Sequence, residues 1–421
     1  MPLSAQQLDH AVSALRAVLP LSEPADVALG RYFREHHTLG ARDRAFVAET
    51  VFGVLRRRLF LEHLAGSSTP RKLALAYLAR PAGLGLRELE GSVTQEEVRW
   101  LKEIKAAPGD PLPLSVRTDF PQWLLEKLQT FMSEEDILTL ARGMQQPAPL
   151  DLRVNTLLAS RDEVLQALRD EGLEAAPTPF SPLGIRLGGK PALQKHPLFL
   201  SGKVEVQDEG SQLLGYLVAP GRHDMVVDFC AGAGGKTLLL GALMRSQGRI
   251  YAFDVAAKRL NNLKPRLKRS GLSNLHPQLI SNENDLKVKR LHGKIDRVLV
   301  DAPCSGLGTL RRNPDLKWRQ TPQSVEELRA KQAAILASAA KLLKPGGRLV
   351  YATCSLLPEE NQDVVQAFLA QAPQFELLDC AQLLASQGIP LDTGRYLQIY
   401  PHSHGTDAFF AAVMERKAPA P

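Results

Sequence analysis

Two cysteines stand where a thiol could do chemistry. Cys304 follows the apolar run Arg297-Val-Leu-Val-Asp301 within Asp301-Ala-Pro-Cys-Ser-Gly-Leu-Gly308, and Cys354 follows Arg348-Leu-Val-Tyr-Ala-Thr353 within Thr353-Cys-Ser355. Both runs read as strands. In an open α/β sheet the carboxyl ends of the strands line the ligand crevice, so the two thiols should face one ligand from neighbouring strands. A lone cysteine is usually a small buried apolar residue, but two placed in this way are harder to assign to packing alone. C5 of a cytosine ring is too poor a nucleophile to attack a methyl sulfonium. A thiolate adding at C6 makes C5 enamine-like, and after transfer the C5 proton leaves and the thiolate is expelled. One cysteine can add while another group assists release. Asp301, bonded to the N3 edge of such a ring, would offset the charge that builds during addition.

The stretch that must position these residues is Val226-Val-Asp-Phe-Cys-Ala-Gly-Ala-Gly-Gly-Lys236-Thr, in which an apolar run ends in Asp228, a glycine-rich turn follows, and Leu238 to Met244 continues with helical periodicity. Strand, tight loop and helix in this order form the first unit of a doubly wound sheet, and such a loop sets bare backbone N–H groups and a helix N-terminus against a ligand. A phosphate-binding P-loop needs Gly where Cys230 stands, and the dinucleotide pattern needs a third Gly where Thr237 stands. Both fail by one residue. A second apolar run, Arg249-Ile-Tyr-Ala-Phe-Asp254, places an acid where a ribose-diol acceptor belongs in this topology. S-adenosylmethionine is therefore the expected cofactor, against a buried-strand reading of Asp254.

The chain has 421 residues, 44% of them hydrophobic, which is room for two or three domains with real cores. No run of about 18 apolar residues occurs and the first twenty residues lack the flanks of a signal peptide, so no membrane partner is expected and a soluble, cytoplasmic chain is. Four cysteines without C-x-x-C spacing read as reduced thiols, with neither a disulfide framework nor a metal site. The net charge of +7 is concentrated: eleven Lys or Arg face three acids between Lys258 and Arg297, and Arg311-Arg-Asn-Pro-Asp-Leu-Lys-Trp-Arg319 adds four more basic residues. This favours a nucleic-acid footprint over a solvated helix face.

Along the chain, Leu8, Val12, Leu15 and Leu19 share one helical face, and Ala45 to Leu64 reads as a second amphipathic stretch whose Arg56-Arg-Arg58 is expected at the solvated surface. A further helix runs to Arg80, and a Pro-rich connector runs from Pro108 to Pro113. Gln122 to Leu128 and a helix capped at Ser133 lead to a strand at Leu150 to Val154, a helix capped at Ser160, and a returning strand at Gly184 to Leu187. Beyond Asp254 come a basic helix from Lys258 to Ser270, a strand at Gln278 to Ser281, a helix from Pro322 to Leu343, the turn Lys344-Pro-Gly-Gly347, and a terminal strand at Ala408 to Met414. Strands alternating with helices imply a mainly parallel sheet.

Pro303-Cys304, Thr353-Cys354, the loop Cys230 to Lys236, Arg311-Arg-Asn-Pro-Asp-Leu-Lys-Trp318 and Pro358-Glu-Glu-Asn361 together resemble the Sun/Fmu family of RNA cytosine-C5 methyltransferases, over the stretch from Phe120 to the end. The resemblance implies an S-adenosylmethionine-dependent, Rossmann-like class I methyltransferase domain that makes 5-methylcytosine in RNA. It implies Cys354 as the nucleophile and Cys304 as the residue that aids product release, the reverse of DNA cytosine-C5 enzymes. The cofactor contacts it implies are Cys230, Ala231, Gly232, Ala233, Gly234, Gly235 and Lys236, with Asp254, Asp301 and the position of Asn282. At Asn282 the family usually has an acid near the adenine; an amide can still accept or donate there, so binding should survive with altered affinity.

Ala41 to Arg56 is similar to the NusB-like RNA-binding domain that precedes the catalytic part in bacterial small-subunit rRNA enzymes of this family. The expected organisation is a helical NusB-like region over 1–115, a small α+β attachment over 116–200, a methyltransferase domain over 201–416 and a disordered tail over 417–421. The expected partner is RNA, 16S ribosomal RNA first and tRNA as the alternative, with no metal and with the protein a monomer. A rival from another class is a non-catalytic, RNA-binding ribosome-assembly factor. Intact Cys304, Cys354, Asp301 and the glycine loop argue against it, since a pure binding module needs none of them.

Overall fold

Apolar runs that end in an acid become parallel strands. The structure, a computed structural model, describes residues 3–106, 112–189 and 191–418. Residues 108–111 of the expected connector and 419–421 of the expected tail lie outside the described residues. The chain forms two compact units: one from the described part of Met1–Pro147 with Thr309–Pro322, the other from Ala148–Gly308 with the described part of Gln323–Pro421.

The second unit carries two sheets. The smaller is antiparallel and built from β1 (Leu150–Val154), β2 (Ala175–Pro177), β3 (Gly184–Leu187) and β4 (Val204–Val206), in the order β2-β3-β1-β4. The larger contains β5 (Met225–Asp228), β6 (Arg249–Asp254), β7 (Leu275–Leu279), β8 (Ile295–Asp301), β9 (Leu343–Thr353), β10 (Phe375–Leu378), β11 (Leu397–Ile399) and β12 (Phe409–Arg416). Its order is β10-β12-β9-β8-β5-β6-β7, with β11 beside β12; β5 to β9 pair in parallel and β12 runs antiparallel to β9, β10 and β11. The expected α/β class with a mainly parallel sheet, a helical region and a small α+β unit is what the chain adopts.

Period-two alternation explains why the central strands are apolar throughout. Val226, Leu299 and Val350 enter the core on one face, with Leu213 and Leu239, while Val227, Val298, Val300 and Tyr351 enter the core on the other, with Ile335 and Leu336. A parallel strand buried on both faces cannot alternate apolar with polar. Each such side chain contributes about 1.5–3 kcal/mol relative to exposure. From β5 the chain steps outward to β6 and β7 on one side, and from β7 it crosses back to β8 on the other side of β5, so the crevice opens beside β5 at the carboxyl ends of the strands.

Several local expectations shift. The strand expected at Gln278–Ser281 lies at Leu275–Leu279 and includes Pro277; β7 is the sheet edge, where a missing N–H is tolerated. Lys344–Gly347 sits inside β9 as an irregularity between the Ile295↔Leu343 and Arg297↔Arg348 pairs, and the preceding helix stops at Ala340. β2, β10 and β11 are too short to carry a periodic signal. Helices Leu114–Thr118, Gln122–Leu128 and Glu134–Gln145 lie with the helical unit.

Within the helical unit two expectations are overturned. The stretch Ala45 to Leu64 is two helices, Ala41–Arg56 and Arg58–Ala65, broken at Arg57, and its arginines are not a solvated face. Arg57 Nε donates to Asp119 Oδ2 at 2.7 Å, and Asp119, with no exposed surface, also accepts the Phe60 N–H at 3.0 Å. Arg56 Nη2 donates to the Arg311 carbonyl at 3.1 Å. The basic run Arg311–Arg319 is likewise not free for a polyanion along its whole length, because Arg311 and Lys317 are buried here. Lys317 Nζ donates to Arg56 O at 2.9 Å, Trp318 Nε1 donates to Leu55 O at 2.9 Å, and Asp315 accepts the Ala25 N–H. Burial pulls the Lys317 ammonium down to about 7. A helix break that leaves carbonyls of its last turn without partners is what turns a basic segment into a structural plug.

Candidate active site

The strand ends enclose a cavity of 910 Å³, and every expected site residue except Gly234 lines it. Gly234 acts on the loop's shape. Its φ is +80°, and a Cβ there would stand 2.1 Å from Leu263 Cδ1, so only glycine lets the loop turn into the helix Gly235–Leu243 against the neighbouring helix Ala257–Ser270. The loop is tied down by Asp254, whose Oδ2 accepts the Gly232 N–H at 2.8 Å while Oδ1 accepts the Ala256 N–H at 2.7 Å. Asn282 lines the cavity from an exposed turn in which its Oδ1 accepts the Asn284 N–H at 2.8 Å.

The two cysteines meet. Cys304 Sγ and Cys354 Sγ are 3.4 Å apart, each half-buried. The approach requires the backbone after Cys304 to press on that after Cys354. Gly308 N donates to Cys354 O at 2.8 Å, and a Cβ on Gly308 would fall 2.4 Å from Ala408 O and 2.7 Å from Cys354 O. The hydrogen bond that the Cys304 thiol donates to Cys354, with burial, pushes the Cys304 thiol well up. Lys236 Nζ donates to Asp301 Oδ2 at 2.6 Å. Burial alone would lower the Lys236 ammonium, but Asp301 at hydrogen-bond distance and a negative charge at Cys354 raise it above the usual lysine range. The cavity thus holds a cation beside a carboxylate and a thiol pair.

The other two cysteines differ. Burial raises the Cys230 thiol far above the ordinary range, although its backbone belongs to the loop. Burial also pushes Cys380 up to about 12; its Sγ faces Ala411 O at 3.7 Å, away from the cavity. Cys380 therefore reads as a packing residue, and Cys230, part-exposed at the cavity wall, as a residue of the loop.

Asp228 is the acid whose role the residue pattern did not reveal. It lines the cavity, Thr237 Oγ1 donates to its Oδ2 at 2.6 Å, and its buried Oδ1 has no partner among the described residues. Burial pushes its carboxyl up to about 7. A folded-state pKa above the unfolded value means the folded protein binds the extra proton, so stability is greatest below pH ~4 for this group and falls as pH rises towards about 7. The loss is at most roughly 4 kcal/mol, about 1.4 kcal/mol for each pH unit between the unfolded and folded values. Asp228→Asn should flatten this fall. Urea unfolding of both proteins at pH 5 and pH 8 measures it, and equal pH slopes in the two would rule the effect out.

The small sheet reaches the loop through one residue. Arg153 on β1 is buried, bonds Gln207 Oε1, and donates to Gly235 O at 2.6 Å; burial pulls its guanidinium down to about 10. On β4, Glu205 is gripped by Arg266 at 2.8 and 3.0 Å and by Arg269 at 2.6 and 3.1 Å. Those two arginines therefore leave the expected polyanion footprint, whereas Lys258, Arg259, Lys264 and Lys268 on the same helix are exposed. Periodicity could not separate the two sets, because the acid that binds Arg266 and Arg269 lies some sixty residues earlier in the chain.

Among the described residues no group of three or more His, Cys, Asp or Glu is placed to hold a metal ion, and no helix is long and apolar enough to cross a membrane.

Comparison with known proteins identifies relatives of the chain and of its fold. The family described as 16S rRNA methyltransferase RsmB/F matches residues 215–415, and the ferredoxin-like domain of RsmF/B-like methyltransferases matches residues 120–194. A probable ribosomal RNA small subunit methyltransferase B from Synechocystis sp. is 34% identical, covering 98% of this chain and 100% of that protein. A protein of the same description from Bacillus subtilis is 33% identical over 72% of this chain and 68% of its own length. Among solved structures, that of PH0851 aligns with a TM-score of 0.80 at 26% identity, over 99% of this chain and 100% of that one. A methyltransferase homolog protein from Pyrococcus horikoshii aligns with a TM-score of 0.62 at 29% identity, over 74% of this chain and 100% of that one.

Proposed function

Because the chain belongs to the 16S rRNA methyltransferase RsmB/F family, and is thus an rRNA methyltransferase, we propose that it methylates C5 of a cytosine in small-subunit ribosomal RNA, with S-adenosylmethionine as methyl donor and Cys354 as covalent nucleophile. The observation that carries this reading is the pair of thiols 3.4 Å apart in the same cavity as the glycine loop and Asp301. A methyltransferase acting on an oxygen or an amine needs no thiol in its site, and cytosine C5 needs one.

The residues fit the donor. Asp254 would take the ribose hydroxyls, Asn282 the adenine edge, and the loop from Cys230 to Lys236 the remainder. The orphaned Oδ1 of Asp228 is an acceptor suited to a cationic amino group. S-adenosylmethionine supplies an electrophilic methyl group on a sulfonium.

The chain's own residues do the rest. The Cys354 thiolate adds to C6, forming a carbon–sulfur bond and sending electron density towards N3. The proton held between Lys236 and Asp301 offsets that charge. Once C5 carries the methyl group, the C5 proton passes to Cys304, which acts as the base and returns it to water, the C6–sulfur bond breaks, and Cys354 returns as thiolate. The helical region over 1–115 and the small unit over 116–200 serve as the RNA-binding attachments in this reading.

Bisulfite sequencing of total RNA from cells with and without this protein tests it. One cytosine of the small-subunit rRNA should change from protected to converted when the protein is lost. A change confined to tRNA would move the substrate, and no change in any RNA would sink the assignment.

A further inference from the structure

Behind the two cysteines lies a buried polar cluster that no step above uses. Its centre is Glu360, with no exposed surface, on the short 3-10 turn Pro358–Glu360. Glu360 Oε1 accepts the Ser305 N–H at 2.8 Å and a Gln332 Nε2 proton at 2.9 Å. Oε2 accepts from Ser305 Oγ at 2.5 Å and from Ser355 Oγ. Ser305 and Ser355 are the residues that directly follow Cys304 and Cys354, and their hydroxyls lie 3.2 Å apart. Gln332 also donates to Pro303 O at 2.9 Å, on the other side of Cys304.

The turn is itself held from the strand that presents Cys354. Tyr351 OH donates to Glu360 O at 2.6 Å, Thr353 Oγ1 donates to Asn361 Oδ1, and Asn361 Nδ2 donates to Ser355 O at 3.2 Å. One carboxylate thus bridges two loops that leave different strands, at the residue after each thiol. A charge-assisted acceptor with four donors is a stronger and more directional tie than apolar contact between two loops. The cavity lining does not include Glu360, so it can touch neither cofactor nor ring.

We propose that Glu360 is a positioning residue that fixes the separation of the Cys304 and Cys354 thiols by binding Ser305 and Ser355 together. This rests on the reading that both thiols serve one reaction, but the tie itself can be read without RNA or cofactor. Oxidation by diamide provides the measurement. The two thiols lose two protons and two electrons to one azo molecule, which becomes the hydrazo compound, and an S–S bond forms. Its rate reports how often the sulfurs meet.

In the wild-type protein the Cys304–Cys354 disulfide, quantified by mass spectrometry of unreduced peptides, should form fast. Glu360→Ala should slow it about tenfold or more, since two groups no longer held together lose their effective concentration. Glu360→Gln, which can still accept from Ser305 N–H and Gln332 and donate to the two hydroxyls, should stay within about threefold of wild type. The methylation rate constant kcat should fall about a hundredfold in the alanine variant, with the KM for RNA little changed, and recover largely in the glutamine variant. A folded Glu360→Ala protein that crosslinks at the wild-type rate overturns the proposal, whatever its activity. If its melting curve shows no fold, Ser305→Ala and Ser355→Ala carry the same test: slowed crosslinking in both supports the tie, and wild-type rates in both overturn it. Failure of the methylation reading would show instead as absent activity in the wild-type protein with the crosslinking pattern intact.

Discussion

Cys354→Ala is expected to be inactive and free of any covalent protein–RNA species, whereas Cys304→Ala should accumulate one, visible as a slow, nuclease-sensitive band on a denaturing gel. The thiol that adds to C6 acts before methyl transfer, so its removal prevents the adduct. The thiol that assists elimination acts afterwards, so its removal leaves the adduct standing. Loss of a covalent nucleophile costs about 10⁴-fold or more in rate. The two sulfurs are 3.4 Å apart, so their positions alone do not order them, and the gel does. Cys230→Ala and Cys380→Ala should keep most activity, since neither belongs to the thiol pair: Cys380 is buried in the core and Cys230 lies in the glycine loop. Melting curves beside each assay separate lost chemistry from lost packing. An adduct in Cys354→Ala that disappears in Cys304→Ala would reverse the two roles.

Asp301→Ala should lower the methyl-transfer rate by about 10²–10³-fold, the usual cost of removing a group that meets developing charge. Two effects add here. The variant removes the acceptor on which Lys236 rests at 2.6 Å, and it leaves that ammonium mostly buried without its carboxylate. Without Asp301 the burial of Lys236 is opposed only by Cys354 and Asp228 and its pKa drops, so the residual rate should gain a new pH dependence, falling as Lys236 loses its proton. Single-turnover rates from pH 6 to pH 9 measure both. A rate within tenfold of wild type with an unchanged profile would remove the Lys236–Asp301 pair from the mechanism.

Much of the catalytic half was legible from residue order, and the reason is local. Val226 to Thr237 states a strand, a turn and a helix within twelve residues, and strand ends in a doubly wound sheet converge on one crevice whatever the rest of the chain does. Cys304, Cys354, Asp254 and Asp301 therefore reached a common cavity as expected. What composition could not give was the state of each charge. Arg56 to Arg58, Arg311, Lys317, Arg266 and Arg269 all count as basic in the sequence, yet Glu205, Asp119 and the backbone carbonyls of Leu55 and Arg56 decide which of them stay free for RNA.

The sequence by itself determined the α/β class, the glycine loop and the two strand-end cysteines, because these depend on side-chain period and on backbone conformations that only certain residues adopt. Tertiary structure alone decided that Asp228 keeps an unpartnered oxygen, that Cys304 and Cys354 touch, and that Glu360 stands behind both. The contact of Cys304 with Cys354 and that of Ser305 with Glu360 each span fifty or more positions of the chain, and burial sets the energies of all three. A carboxylate in water is an ordinary acid; the same group enclosed by four donors is a strut, and enclosed with one donor it is a proton-binding site.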